Sequence, residues 1–140
     1  MRLVLDSNRL FAALIRNSMA RKILLNPAME FIAPDYILNE VQNHRDELIR
    51  KSKIPESDFD ILFEHIFQSI IIVPFEEIKP CYERAKEIME RIDPDDAVFL
   101  ALALCSSNYG IWTEDTHFEK QDIVRFWKTT ELMEKLGLEK

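Results

Sequence analysis

Leu3-Val4-Leu5-Asp6-Ser7-Asn8 is a short apolar run that ends on a charge and two helix-capping side chains. It reads as a buried strand leading straight into a helix capped by Ser7 or Asn8. Leu10, Phe11, Leu14 and Ile15 then keep helical spacing on one face. The same order recurs along the chain. Ser18 restarts the helix, and Asn26-Pro27 stops it. Residues 30–33 form a second short strand, and Pro34-Asp35 opens a helix with Ile37, Leu38, Val41 and Leu48 on its inner side. Glu56 or Ser57 caps the next helix, which carries Phe59, Leu62, Phe63, Ile66 and Phe67. Residues 70–73 are continuous and β-branched, the pattern of a strand buried on both faces. Pro80 starts a helix through Met89, and Asp93-Pro94 caps one that runs to about Ser107. Residues 109–112 and 123–126 supply a fourth and a fifth strand, and Thr129 begins the terminal helix.

Strands alternating with helices mean βαβ units, hence a mainly parallel sheet of about five strands with helices on both faces. In such a sheet the strands point one way, and residues just past their ends collect at one edge where ligands bind.

The chain has 140 residues, 47% of them hydrophobic, which predicts a single domain spanning residues 1–140 with one core. No linker, repeat or low-complexity segment interrupts it. Arg2 and Asp6 break the first apolar run too early for a signal peptide, and no apolar run is long enough for a membrane span. Cys81 and Cys105 lack metal-ligand spacing and sit in helical patterns; they are expected as buried free thiols, which places the protein in the reducing cytoplasm. The net charge of −7 argues against nucleic acid at first sight. Yet residues 1–53 carry nine Lys and Arg against six acids, so the negative excess belongs to the remainder. That asymmetry permits a basic face, although charges on helices are as often plain solvated surface.

Four carboxylates are placed to meet at the strand-end edge. Asp6 follows the first strand, Asp115 follows the fourth, Asp96 lies in the first turn of the helix opened by Asp93, and Glu40 lies in the second turn of the helix after the second strand. Carboxylates gathered in one pocket repel unless a cation compensates. Oxygen donors favour Mg²⁺ or Mn²⁺, and a pair of such ions about 4 Å apart supports phosphodiester hydrolysis. His44, His65 and His117 show no ligand spacing, so zinc is not expected. Each acid has a plainer explanation alone. Asp96 complements a helix start, Glu40 reads as surface, and Asp115 makes a turn. Asp6 resists this, because a charge ending a buried strand is costly without a partner.

Residues 3–8, 33–40, 93–104 and 111–118 resemble, in order and spacing, the successive motifs of PIN domains. The resemblance implies a three-layer α/β/α sandwich and a Mg²⁺- or Mn²⁺-dependent endoribonuclease that cuts single-stranded RNA. It carries the acidic residues onto Asp6, Glu40, Asp96 and Asp115 as catalytic and metal-holding groups, with Asn8 and Thr113 as polar helpers that fix carboxylates or water. Asp93 and Asp95 are not carried over. Arg9 and Arg45 are expected to guide the RNA backbone. In many prokaryotic members such a chain resembles the toxin of a toxin–antitoxin pair, which implies an antitoxin protein partner and a homodimer.

Two other functions fit parts of the pattern. A non-catalytic PIN-like module would bind RNA or protein, with Leu132, Met133, Leu136 and Leu138 offered to a partner unless they cover the sheet. A haloacid-dehalogenase-like phosphatase also starts with an Asp after strand one, but needs a second Asp two residues on, where this chain has Asn8.

Overall fold

The computed structural model describes residues 1–139. Five strands form one sheet: β1 (Arg2–Leu5), β2 (Glu30–Pro34), β3 (Ile70–Val73), β4 (Ile111–Trp112) and β5 (Phe126–Trp127). Their order is β3-β2-β1-β4-β5 and every pairing is parallel. Helices α1 (Ser7–Ile15) and α2 (Met19–Leu24) join β1 to β2, and α3 (Tyr36–Ser52) and α4 (Glu56–Phe67) join β2 to β3. The chain then returns past β1 through α5 (Phe75–Met89) and α6 (Ala97–Cys105) to β4, and α7 (Thr129–Leu136) follows β5. Right-handed crossovers in opposite directions put the two helix sets on opposite faces of the sheet. The result is a three-layer α/β/α sandwich.

Leu3, Val4 and Leu5 are fully buried at the centre of the sheet. Because β1 is flanked by β2 and β4, the strand order reverses there, and the crevice beyond its carboxyl end is the natural ligand position. Gly110 lets β4 and β5 approach. Its φ is +130°, and a Cβ there would lie 2.3 Å from the Arg125 carbonyl oxygen.

Four expectations need correction. Residues 70–73 do form β3, but as an edge strand with Ile71 48% exposed. A β-branched run cannot distinguish a strand with one neighbour from a strand with two. Helix α5 begins at Phe75, not Pro80; the Phe75 amide donates to Asp35 Oδ2 (3.3 Å), and Glu76 and Glu77 favour the helix start. Pro80 is accommodated on an exposed turn, where it forfeits one backbone bond. The fifth strand lies later, at Phe126–Trp127. Gln121 explains this: its Oε1 accepts from the amides of Ile123 and Val124, and its Nε2 donates to the Phe118 and Val124 carbonyls. With these groups already partnered, that stretch needs no ladder.

The fourth correction concerns the cysteines. Cys81 on α5 and Cys105 on α6 form a disulfide, and no free thiol remains among the described residues. The expectation of a reducing compartment rested on two free thiols and loses that support. No helix is long and apolar enough to cross a membrane. On α7, Leu132 is fully buried, and Met133 and Leu136, with Leu138 just beyond, pack against the core, so these residues cover the fold rather than await a partner.

Candidate metal centre

Asp6 immediately follows β1, and its backbone is still held to β4, its amide donating to the Trp112 carbonyl (3.3 Å). Its own carbonyl accepts the first amides of α1, from Arg9 and Leu10. The side chain is left aimed past the strand end, only 3% exposed. Oδ2 accepts from the Thr113 hydroxyl at 2.5 Å. Thr113 follows β4, and its Oγ1 also accepts the Asp115 amide (2.9 Å). One buried hydroxyl therefore ties the acid after β1 to the acid after β4. Asp115 caps the next 3₁₀ turn, its Oδ1 accepting the His117 amide (2.9 Å).

Glu40 reaches the edge from the second turn of α3, where Oε1 accepts from the Ser7 hydroxyl (2.6 Å). Asp96 closes the group from the 3₁₀ turn that leads into α6. That turn starts at Asp93, whose side chain accepts the Asp95 amide (3.0 Å). Ahead of Asp96 the entry is thus already capped, which frees its carboxyl from the capping duty that the sequence offered it.

The charges are poorly compensated. Burial, then the carboxylates of Asp115 and Glu40, push Asp6 up to about 6 against the opposing Thr113 hydrogen bond. Burial, then Asp6, Asp93 and Asp115, push Asp96 up to about 7, with His117 working the other way. Asp6 is thus within electrostatic reach of Glu40, Asp96 and Asp115.

His117 and Asp93 join this group, and neither was anticipated as a ligand. His117 Nδ1 lies 3.1 Å from Asp93, 3.1 Å from Asp115 and 3.5 Å from Asp96. One donor atom from each of Asp93, Asp96, Asp115 and His117 falls within 4.8 Å of the others. Two of these atoms, Asp96 Oδ2 and His117 Nδ1, are buried without an aligned hydrogen-bond partner. Buried polar atoms of native proteins are nearly always satisfied. Unpartnered donors turned toward clustered carboxylates fit a divalent cation, which would neutralise the acids and occupy both atoms. The signal for His117 was its place two residues after Asp115; spacing rules for paired histidines do not detect one whose partners are a neighbouring carboxylate and two more from the turn before α6.

The remaining expected residues lie elsewhere. Asn8 is exposed on α1 and lines a groove with Phe11, His44 and Lys51, while the hydroxyl that steadies a site carboxylate belongs to Ser7. Arg9 is partly buried beside α7, its Nη1 3.5 Å from Thr129 Oγ1. Arg45 is clamped by Glu56 (3.1 Å) and Asp60 (2.6 Å) of α4 and stacks over Phe59. Its guanidinium thus links α3 to α4.

A parallel α/β fold with a carboxylate cluster at its switch point defines a class of divalent-metal hydrolase scaffolds. Within it, the PIN domain family profile matches residues 4–137, and the chain belongs to the PIN domain family, whose members are generally metal-dependent nucleases. No curated protein matches the chain.

Proposed function

We propose that this chain, acting as a single domain, is a divalent-metal-dependent endoribonuclease that cleaves single-stranded RNA. What supports the reading is the cluster of Asp93, Asp96, Asp115 and His117, whose ligand atoms lie within 4.8 Å of one another, with Asp6 buried at the neighbouring strand end.

Asp6, Asp96 and Asp115 would hold the cation directly, and Glu40 would hold it or orient the attacking water. Bound there, Mg²⁺ or Mn²⁺ supplies charge neutralisation and Lewis acidity toward the phosphodiester. The protein's own contribution is positioning. Thr113 fixes Asp6 and the backbone of Asp115, and Ser7 fixes one oxygen of Glu40. Both hydroxyls donate to carboxylates, so the lone pairs left over are directed rather than free to rotate. The nitrogen of His117 favours Mn²⁺ over Mg²⁺, because imidazole suits transition metals better. Hydrolysis by water leaves a 5′-phosphate and a 3′-hydroxyl. The narrower role, a toxin held by an antitoxin and working as a homodimer, is tested by light scattering and by whether a small DNA-binding protein is encoded beside the gene.

The experiment for the main reading compares single-stranded and duplex RNA in Mn²⁺, with and without EDTA. Cutting of the single strand alone, abolished by EDTA, is expected. A chain that binds no Mn²⁺ by calorimetry and cuts neither substrate would instead be a non-catalytic module.

A further inference from the structure

Beside the carboxylates lies a cleft of about 380 Å³ that the chemistry above does not use. Its walls come from three elements: Tyr36 and Asn39 of α3, Phe75 and Tyr82 of α5, and Pro94 and Asp95 ahead of α6. It adjoins the metal centre through the chain itself. Tyr36 is four residues before Glu40, hence on the same face of α3, and Asp95 directly precedes Asp96.

The lining is aromatic and already ordered. Phe75 and Tyr82 meet edge to face at 5.2 Å, and the Phe75 amide is fixed by Asp35, itself a wall of the cleft. Tyr36 is 38% exposed, which leaves much of its ring uncovered by protein. Aromatic rings beside a phosphodiester-cleaving centre offer stacking surface to unpaired bases. Asp35 and Asp95 exclude the alternative occupant, because two carboxylates repel a phosphate while tolerating an uncharged base. Asn39 adds an amide that both donates and accepts.

We propose that this cleft is a nucleobase subsite, which takes one unpaired base of a nucleotide next to the scissile phosphodiester and so sets where the strand is cut. The inference rests on the proposed nuclease reading for the position of that phosphodiester. Duplex RNA cannot fill the subsite, since its bases are stacked and paired.

The test uses fluorescein-labelled RNA hexamers of defined sequence, each with one abasic residue moved stepwise along the strand. Binding is measured by anisotropy in Ca²⁺, and cleavage in Mn²⁺. One abasic position should weaken binding about tenfold or more, as loss of a base–aromatic stack does. Tyr36→Ala should weaken the intact hexamer similarly and leave the hexamer abasic at that position unaffected, whereas Tyr36→Phe should bind as the native chain does. Equal loss for intact and abasic hexamers in Tyr36→Ala, or no sensitive position at all, would overturn the subsite. The two readings fail separately. A chain that shows the sensitive position without cutting in Mn²⁺ keeps a base-binding cleft and loses the nuclease, and with it any role of the cleft in placing a cut. One that cuts with no sensitive position does the reverse.

Discussion

Thr113 is the residue on which the site's geometry turns, since one hydroxyl donates to Asp6 and accepts from the Asp115 amide. Thr113→Val keeps the shape and removes both bonds. Supporting partners of this kind are worth roughly 10–100-fold in metal affinity, so calorimetry should show Mn²⁺ binding weakened by that factor with the fold intact. Unchanged affinity would remove Thr113 from the site. Asp6 and Asp96 carry a second prediction. In the metal-free chain both hold protons above the ordinary carboxylate range of 3.8, to about 6 and about 7. The folded state therefore retains protons that the unfolded chain has released. Their contribution to stability is full near pH 4 and is lost as pH rises through 6 and 7. Metal-free protein should melt lower at pH 8 than at pH 5.5, and Mn²⁺ should recover the loss at pH 8. A melting temperature that rises between these values, with the same buffer and salt, would contradict the arrangement.

At the scale of elements, the strand–helix alternation was legible because each strand is short, apolar and bounded by capping or breaking residues, as in Leu3–Asn8 and Glu30–Asp35. What pattern could not carry was neighbourhood. Ile70–Val73 looks central and lies at an edge, and Ile123 looks like strand although Gln121 satisfies that backbone. Cys81 and Cys105 looked unrelated for the same reason: only the packing of α5 on α6 brings them together. The bond closes a loop over a sequence separation of 24, which corresponds to roughly 3 kcal/mol of stabilisation in the chain-entropy account. Dithiothreitol or Cys105→Ser should accordingly lower the melting temperature by roughly 8 °C or more, with the same secondary structure by circular dichroism. Equal melting of oxidised and reduced protein would show that the link does not constrain the unfolded chain. Asp6, Asp96 and Asp115 each sit at an element end and Glu40 in the second turn of α3, positions that a parallel sheet turns toward one edge by topology. Ser7, Asp93 and His117 escaped because each acts through a partner on a different element.

Across the whole molecule, the net charge of −7 is compatible with an RNA substrate because the acids that meet at the sheet edge are the ones a cation would neutralise. Several basic residues of the first third are already engaged: Arg2 pairs with Glu30, Arg45 with Glu56 and Asp60, and Lys51 with Glu47. Catalysis in this account depends on the cluster more than on a broad basic face. The most direct measurement is cleavage of a single-stranded RNA in Mn²⁺ by the native chain and by Asp96→Asn, with melting curves recorded for both. Cutting is expected from the native chain and its near-complete loss from the variant, whose metal-free melting temperature should not fall, because a buried, poorly compensated charge has been removed. A stably folded Asp96→Asn that cuts at the native rate would contradict this account.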